Sequence, residues 1–235
     1  MMKTKFLRIV ALLLVCVALL CSCGKQPTKL RLENDVYRAK KLKQVEIAYR
    51  EAPYTYRATS ILEGTVVCLA TGGIPDEFPL YAIENADPDN WLTDEYYSLF
   101  YNADITLPTL AEMKPYSISL CDVVGDYARE RGTLNRDYQA EIDELVKELT
   151  EGKSYPKELL SLHDHTLFEL LFHSEQYPEF YYVLEYWKYT EPVVFMDGDQ
   201  EITVETGVIY DRANGCFYTL GDMLEEYFIK ANPET

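Results

Sequence analysis

The segment Phe180-Tyr181-Tyr182-Val183-Leu184-Glu185-Tyr186-Trp187-Lys188-Tyr189 constrains the fold more than any other part of this chain. Residues two apart on a strand share a face. As a strand, it sets Tyr182, Leu184, Tyr186 and Lys188 on one side. Tyr181, Val183, Glu185, Trp187 and Tyr189 take the other. Both sides are aromatic, so the strand belongs at the centre of a sheet or under cover on both faces. A ring platform for saccharide or peptide is the functional alternative. Cover is available, because 48% of the 235 residues are hydrophobic and disorder is disfavoured. The 20 Tyr combine apolar area with a polar tip, which suits half-buried strands and wet binding surfaces.

Around this segment the pattern alternates between two periods. Val45–Arg50, Thr65–Thr71, Pro79–Ile83, Tyr96–Tyr101, Tyr116–Val124 and Thr166–His173 read as short strands. Gly72-Gly73 and Asp87-Pro88-Asp89-Asn90 read as turns or loops. Glu201–Tyr210 and Cys216–Leu220 read as a hairpin closed through Asn214-Gly215. Helical spacing occurs twice. Tyr138, Ile142, Leu145, Val146 and Leu149 form one apolar stripe, opened by Asn135 or Asp137 and closed by Gly152. Met223, Leu224, Tyr227, Phe228 and Ala231 form another, behind the capping-box pair Asp222 and Glu225. Strand runs with segregated helices predict an α+β fold: a mainly antiparallel sheet, a long mid-chain helix and a C-terminal helix. Gly125 and Gly132 flank a charged stretch, so a division into two subdomains near residues 125–135 is allowed.

The first residues have a different character. Lys3, Lys5 and Arg8 precede an unbroken apolar run, Ile9–Leu20, which is too short to span a bilayer at about 20 residues. Positive start, short apolar core and small residues at a cut make a secretory signal. Leu20-Cys21-Ser22-Cys23 resembles the lipobox of bacterial lipoproteins, with an aliphatic residue, a tolerant position, a small residue and the modified cysteine. Cys21 fits the modified position less well, because Leu19 and Leu20 precede it. The resemblance covers only the leader. It implies diacylglycerol on the Cys23 thiol and removal of residues 1–22. Several acyl chains at about 0.8 kcal/mol per buried CH₂ would hold the protein at the extracytoplasmic face of the cell membrane. The expected organisation is signal peptide 1–22, lipidated basic tether 23–44 and globular domain 45–235.

Charge supports this address. The leader holds three of the 22 Lys+Arg and none of the 39 Asp+Glu, which leaves −20 behind it. Residues 25–43 carry a net +5, and the body from Gln44 carries about −25. A basic segment beside a lipid anchor is drawn to anionic headgroups, while an acidic body is repelled. Such a body excludes nucleic acid as a partner, because phosphates need cations.

Motifs for chemistry are sparse. His163-Asp164-His165 could turn two imidazoles toward one metal, with His173 or a nearby Glu as third ligand, as in a zinc hydrolase. Surface histidines before a strand explain the same residues, and no HExxH is present. No G-x-S-x-G occurs. Asp197-Gly198-Asp199 with Glu201 faintly resembles a calcium loop but lacks the twelve-residue pattern, so a hairpin turn is expected. Asp87/Asp89 and Asp197/Asp199 are carboxylate pairs of a kind that a chain this acidic produces by chance. Cys68 and Cys121, both in strand-like runs, are the candidates for one disulfide, or else small buried hydrophobes. No catalytic, metal or cofactor-binding residue is assigned, and no cofactor is expected. The functional expectation is a membrane-anchored, non-catalytic binding, sensing or accessory module with a protein or saccharide partner outside the membrane. A Tyr/Trp-platform binder of carbohydrate or peptide and a tethered metal-dependent hydrolase are the alternatives.

Overall fold

The computed structural model describes residues 27–40, 46–73, 76–124, 127–160 and 164–232. Two sheets dominate it. The first is built from β1 (Thr28–Glu33), β2 (Val36–Lys40), β3 (Glu46–Glu51), β5 (Val66–Thr71), β6 (Glu77–Ala82), β7 (Trp91–Thr93) and β8 (Leu99–Asn102), in the order β1-β2-β3-β8-β7-β6-β5. It closes into a barrel because β5 pairs in parallel with β1, from Thr28 opposite Cys68 to Arg31 opposite Thr71. Every other pairing in it is antiparallel. Alternate residues point inward, so Leu30, Tyr37, Tyr49, Cys68, Ala70, Leu80, Leu92 and Phe100 fill the barrel. The β1–β2 turn uses Asn34 and Asp35, both at positive φ (52° and 60°), which short polar side chains tolerate in a tight hairpin.

The second sheet has eight strands. Its members are β4 (Tyr56–Ala58), β9 (Ser117–Val124), β10 (Tyr127–Leu134), β11 (Tyr155–Pro156), β12 (His165–His173), β13 (Phe180–Tyr189), β16 (Gly207–Asp211) and β17 (Cys216–Tyr218). The order is β10-β9-β12-β13-β16-β17-β11, and β4 joins β13 beyond the end of β16. The aromatic strand β13 therefore has neighbours on both edges and cover on both faces. On one face lie α2 (Gln139–Glu151) and α3 (Gly221–Ala231), with Ile142, Leu145, Leu149, Leu224 and Phe228 packed on Leu170, Phe172, Leu184, Tyr186 and Ile209. On the other, the hairpin β14 (Val193–Asp197) and β15 (Gln200–Val204) sets Val193, Phe195 and Val204 against Tyr189, Val208 and Phe217. A short α1 (Leu110–Met113), held by a Thr109–Glu112 capping box, sends Met113 into a cluster with Ala58, Ile83, Trp91, Leu99 and Phe180. That cluster joins the barrel to the sheet.

These findings correct the expected fold class. The chain is mainly β, with seventeen strands and three α-helices among the described residues, instead of an α+β fold ordered around a long mid-chain helix. The helix at that place has 13 residues, and a closed barrel stands where part of one antiparallel sheet was expected. Several strands have only three to five residues, so their local pattern is faint. Residues 28–40, expected in the tether, form the first barrel hairpin, and Leu30, Val36 and Tyr37 are buried there. Their cationic neighbours alternate with apolar residues, as an outward barrel face requires. Within the stretch near 125–135, Tyr127–Leu134 is β10, which pairs with β9 in one sheet. Glu201–Tyr210, read as one strand, is divided between β15 and β16.

Candidate functional site

Cys23 and His163 lie outside the described residues. His165 opens β12, and its ring stacks on Trp187 with centroids 4.4 Å apart and planes 10° from parallel. His173 closes the same strand eight residues later, roughly 26 Å away at the strand rise, so these two imidazoles cannot share a metal. Its Nε2 lies 3.0 Å from Ser119 Oγ, and Tyr181 meets its ring edge-on. Burial lowers the His173 pKa, and the Glu130 charge opposes that shift. Asp197, Gly198 and Asp199 form the tip of the β14–β15 hairpin, with Gly198 at a φ of 62°. Among the described residues no three His, Cys, Asp or Glu side chains make a metal-holding group. Cys68 fills the barrel, whereas Cys121 packs with Leu171 and Val183 on the sheet, so no disulfide joins them.

The aromatic platform is engaged by its own neighbours. Trp187 carries His165 on its ring and donates Nε1–H to Glu185 Oε2 at 2.9 Å. Beside it lies a carboxylate pair that sequence reasoning missed. Glu169 on β12 and Glu185 on β13 stand directly opposite one another, 4% and 6% exposed. Like charges in that register repel. Each is answered by an arginine from elsewhere. Arg57 of β4 grips Glu169 with two nitrogens, at 2.5 and 2.7 Å. Arg212, after β16, reaches Glu185 at 3.5 Å. Both guanidinium groups lie over the Tyr54 ring, at 5.6 and 4.9 Å. With their oxygens committed, the carboxylates act as a clasp that holds the Tyr54–Arg57 segment on the sheet. The visible signal was an acid inside each of two apolar strands.

Among the concavities with more room, two lie against the strands of the sheets. A groove of about 630 Å³ runs between α3 and strands β9, β10, β12 and β13. Its charges answer one another, as Asp122 pairs with Arg131 and Glu225 with Lys188. The second, about 310 Å³, is the mouth of the barrel at the end of β1. Tyr37, Phe78 and Phe100 form its floor, three rings with centroids 5.7 to 5.9 Å apart. Glu51 from the end of β3 and Asp94-Glu95-Tyr96 from the turn after β7 form its rim. Asp94 Oδ1 accepts the N–H of Tyr96 at 2.9 Å and of Ser98 at 2.8 Å, which fixes that turn. Tyr97 sits within it at a φ of 65°. Burial, then the like charge of Asp94, raises the Glu51 pKa. Burial, then Glu51 and Asp94, raises that of Tyr37. Among the described residues that line the mouth, an aromatic floor lies under three carboxylates and no basic side chain.

No family model, curated protein or solved structure matches this chain.

Proposed function

We propose that this protein is a bacterial lipoprotein held by lipid on Cys23 at the extracytoplasmic face of the cell membrane, and that its barrel is a non-catalytic module binding a small ligand at its mouth. The observation that carries the binding half is the pocket of about 310 Å³ between Tyr37, Phe78 and Phe100 and the acidic rim. A barrel of this size is filled by its own side chains, with Leu30, Leu80 and Leu92 fully buried, so a ligand has the mouth and not the lumen. The lipobox resemblance carries the anchoring half.

The geometry relates the two halves. Four residues separate Cys23 from Thr28, where β1 begins. Five Cα steps reach at most about 18 Å, so the anchor ties the barrel close to the bilayer. β1 then runs its six residues, roughly 20 Å, toward the mouth. On this reading the pocket opens at the end of β1 opposite Thr28, the end nearer in sequence to Cys23.

Each half has its own test. The mature protein should partition into detergent with membranes, and Cys23→Ala should remain in the soluble fraction. A processed Cys23→Ala protein that stays membrane-bound overturns the anchor. A fragment screen by NMR on the full chain in micelles should produce shifts concentrated on Tyr37, Phe78, Tyr96 and Phe100. A screen whose only responses lie elsewhere, or that yields none, overturns the barrel-mouth reading.

A further inference from the structure

The barrel mouth carries an imbalance of charge. Glu51, Asp94 and Glu95 are acidic, and among the described residues lining the pocket none is basic. In the groove beside α3, by contrast, each acid has its own cation. Glu51 ends β3, whereas Asp94 and Glu95 share the turn after β7, so the acids reach the mouth from two segments.

The floor favours the same sign of ligand. Aromatic faces are negative and edges positive, so a cation above the rings is attracted while an anion is repelled. Phe100 and Tyr37 are buried and held by edge contacts, whereas Tyr96, 72% exposed, stands at the rim. Together, the rings and carboxylates suit a charge spread over an organic group. A hard metal ion needs six to eight converging oxygens for calcium, or about six for magnesium. No three described carboxylates converge in that way. The volume, about 310 Å³, lies at the small end of ligand pockets.

We infer that the barrel mouth binds a small organic ammonium ion, a primary or quaternary amine, with its charged head between Glu51 and Asp94 and its apolar part on Phe78 and Tyr96. This rests on the barrel-mouth reading above. It adds the chemical class of the ligand.

Calorimetric titration of the full chain in non-ionic micelles tests it, at matched ionic strength. The probes are choline and 1,4-diaminobutane, the neutral choline isostere 3,3-dimethylbutan-1-ol, and calcium chloride. At least one ammonium probe should bind saturably, and the neutral isostere should bind choline's site about tenfold more weakly or worse. Asp94→Asn keeps an oxygen to accept the Tyr96 and Ser98 N–H groups, so the turn should survive while ammonium affinity falls. Phe78→Leu should weaken binding as well, with circular dichroism confirming that both variants fold. If the isostere binds as tightly as the ammonium, the cation class is overturned and the barrel-mouth reading stands. Calcium that occupies the mouth in preference to ammonium, its affinity lowered by Asp94→Asn, also overturns the class. If no ammonium binds, the inference fails, and the fragment screen decides separately whether the mouth binds anything.

Discussion

Arg57 and Glu169 show how much one residue decides here. The carboxylate is almost fully buried between two strands, and the guanidinium takes both its oxygens. Removing one partner of a buried pair costs about 3–5 kcal/mol, because the other is left charged in a poor solvent. Arg57 is partly exposed, so Arg57→Ala should fall toward the lower end, about 3 kcal/mol, in urea unfolding. The double change Arg57→Met with Glu169→Met should lose clearly less. Equal losses for the two would show that packing, not uncompensated charge, is responsible. His173 supplies a second residue-scale test. Its imidazole is harder to protonate in the folded protein than in the unfolded chain. The unfolded state then binds more protons, so stability is complete above the ordinary value of about 6.5 and declines as pH falls below it. The unfolding midpoint should drop more steeply from about pH 7.5 to about pH 5 in the native protein than in His173→Gln. Parallel curves would show that the imidazole does not contribute.

At the level of elements, α3 owes its position to two glycines. Gly221 starts the helix against Gly207 of β16, so closely that a Cβ on Gly221 would stand 2.3 Å from the Gly207 carbonyl oxygen. A Cβ on Gly207 would in turn stand 2.3 Å from the Trp187 carbonyl oxygen of β13. A backbone atom has no rotamer to retreat into, so Gly221→Ala must displace the helix. Overpacking of this kind costs about 1–3 kcal/mol or more, and calorimetric melting should show a lowered midpoint. An unchanged midpoint would mean that α3 shifts freely. The helices themselves were legible, because their apolar residues recur at i, i+3, i+4 and i+7 within one segment. Strands β1 and β2 were not. Lys29, Arg31, Arg38 and Lys40 alternate with Leu30, Leu32, Tyr37 and Ala39, and so many cations hide the period of a strand. The close approach at Gly207 and Gly221 left no trace in pattern either, since a glycine before a helix reads simply as a turn.

Over the whole molecule, the barrel and the sheet are joined through β4 and Phe180. β4 leaves the barrel segment to pair with β13, and Phe180 packs 5.1 Å from Trp91 of the barrel. Phe180→Ala removes a fully buried ring and should cost about 3–5 kcal/mol. The chain has two tryptophans, Trp91 in the barrel and Trp187 in the sheet, so each part carries its own reporter. Fluorescence of Trp91→Phe and Trp187→Phe proteins should give one coincident unfolding transition, the mark of a single cooperative unit. Separate midpoints would show two units that fold alone, and Phe180→Ala would then lower only one of them.

The doubly aromatic strand 180–189 and the two amphipathic helices follow from the order of residues, because each is a local matter of period. Which strands meet does not follow. The parallel joint of β1 to β5 that closes the barrel links residues some forty apart. The opposition of Glu169 to Glu185 depends on register, and one residue of slip would turn every side chain to the other face. The barrel mouth collects Tyr37, Glu51, Phe78, Asp94 and Phe100 from five separate segments. Register and closure are set by burial against distant segments, and only the folded chain brings those segments together.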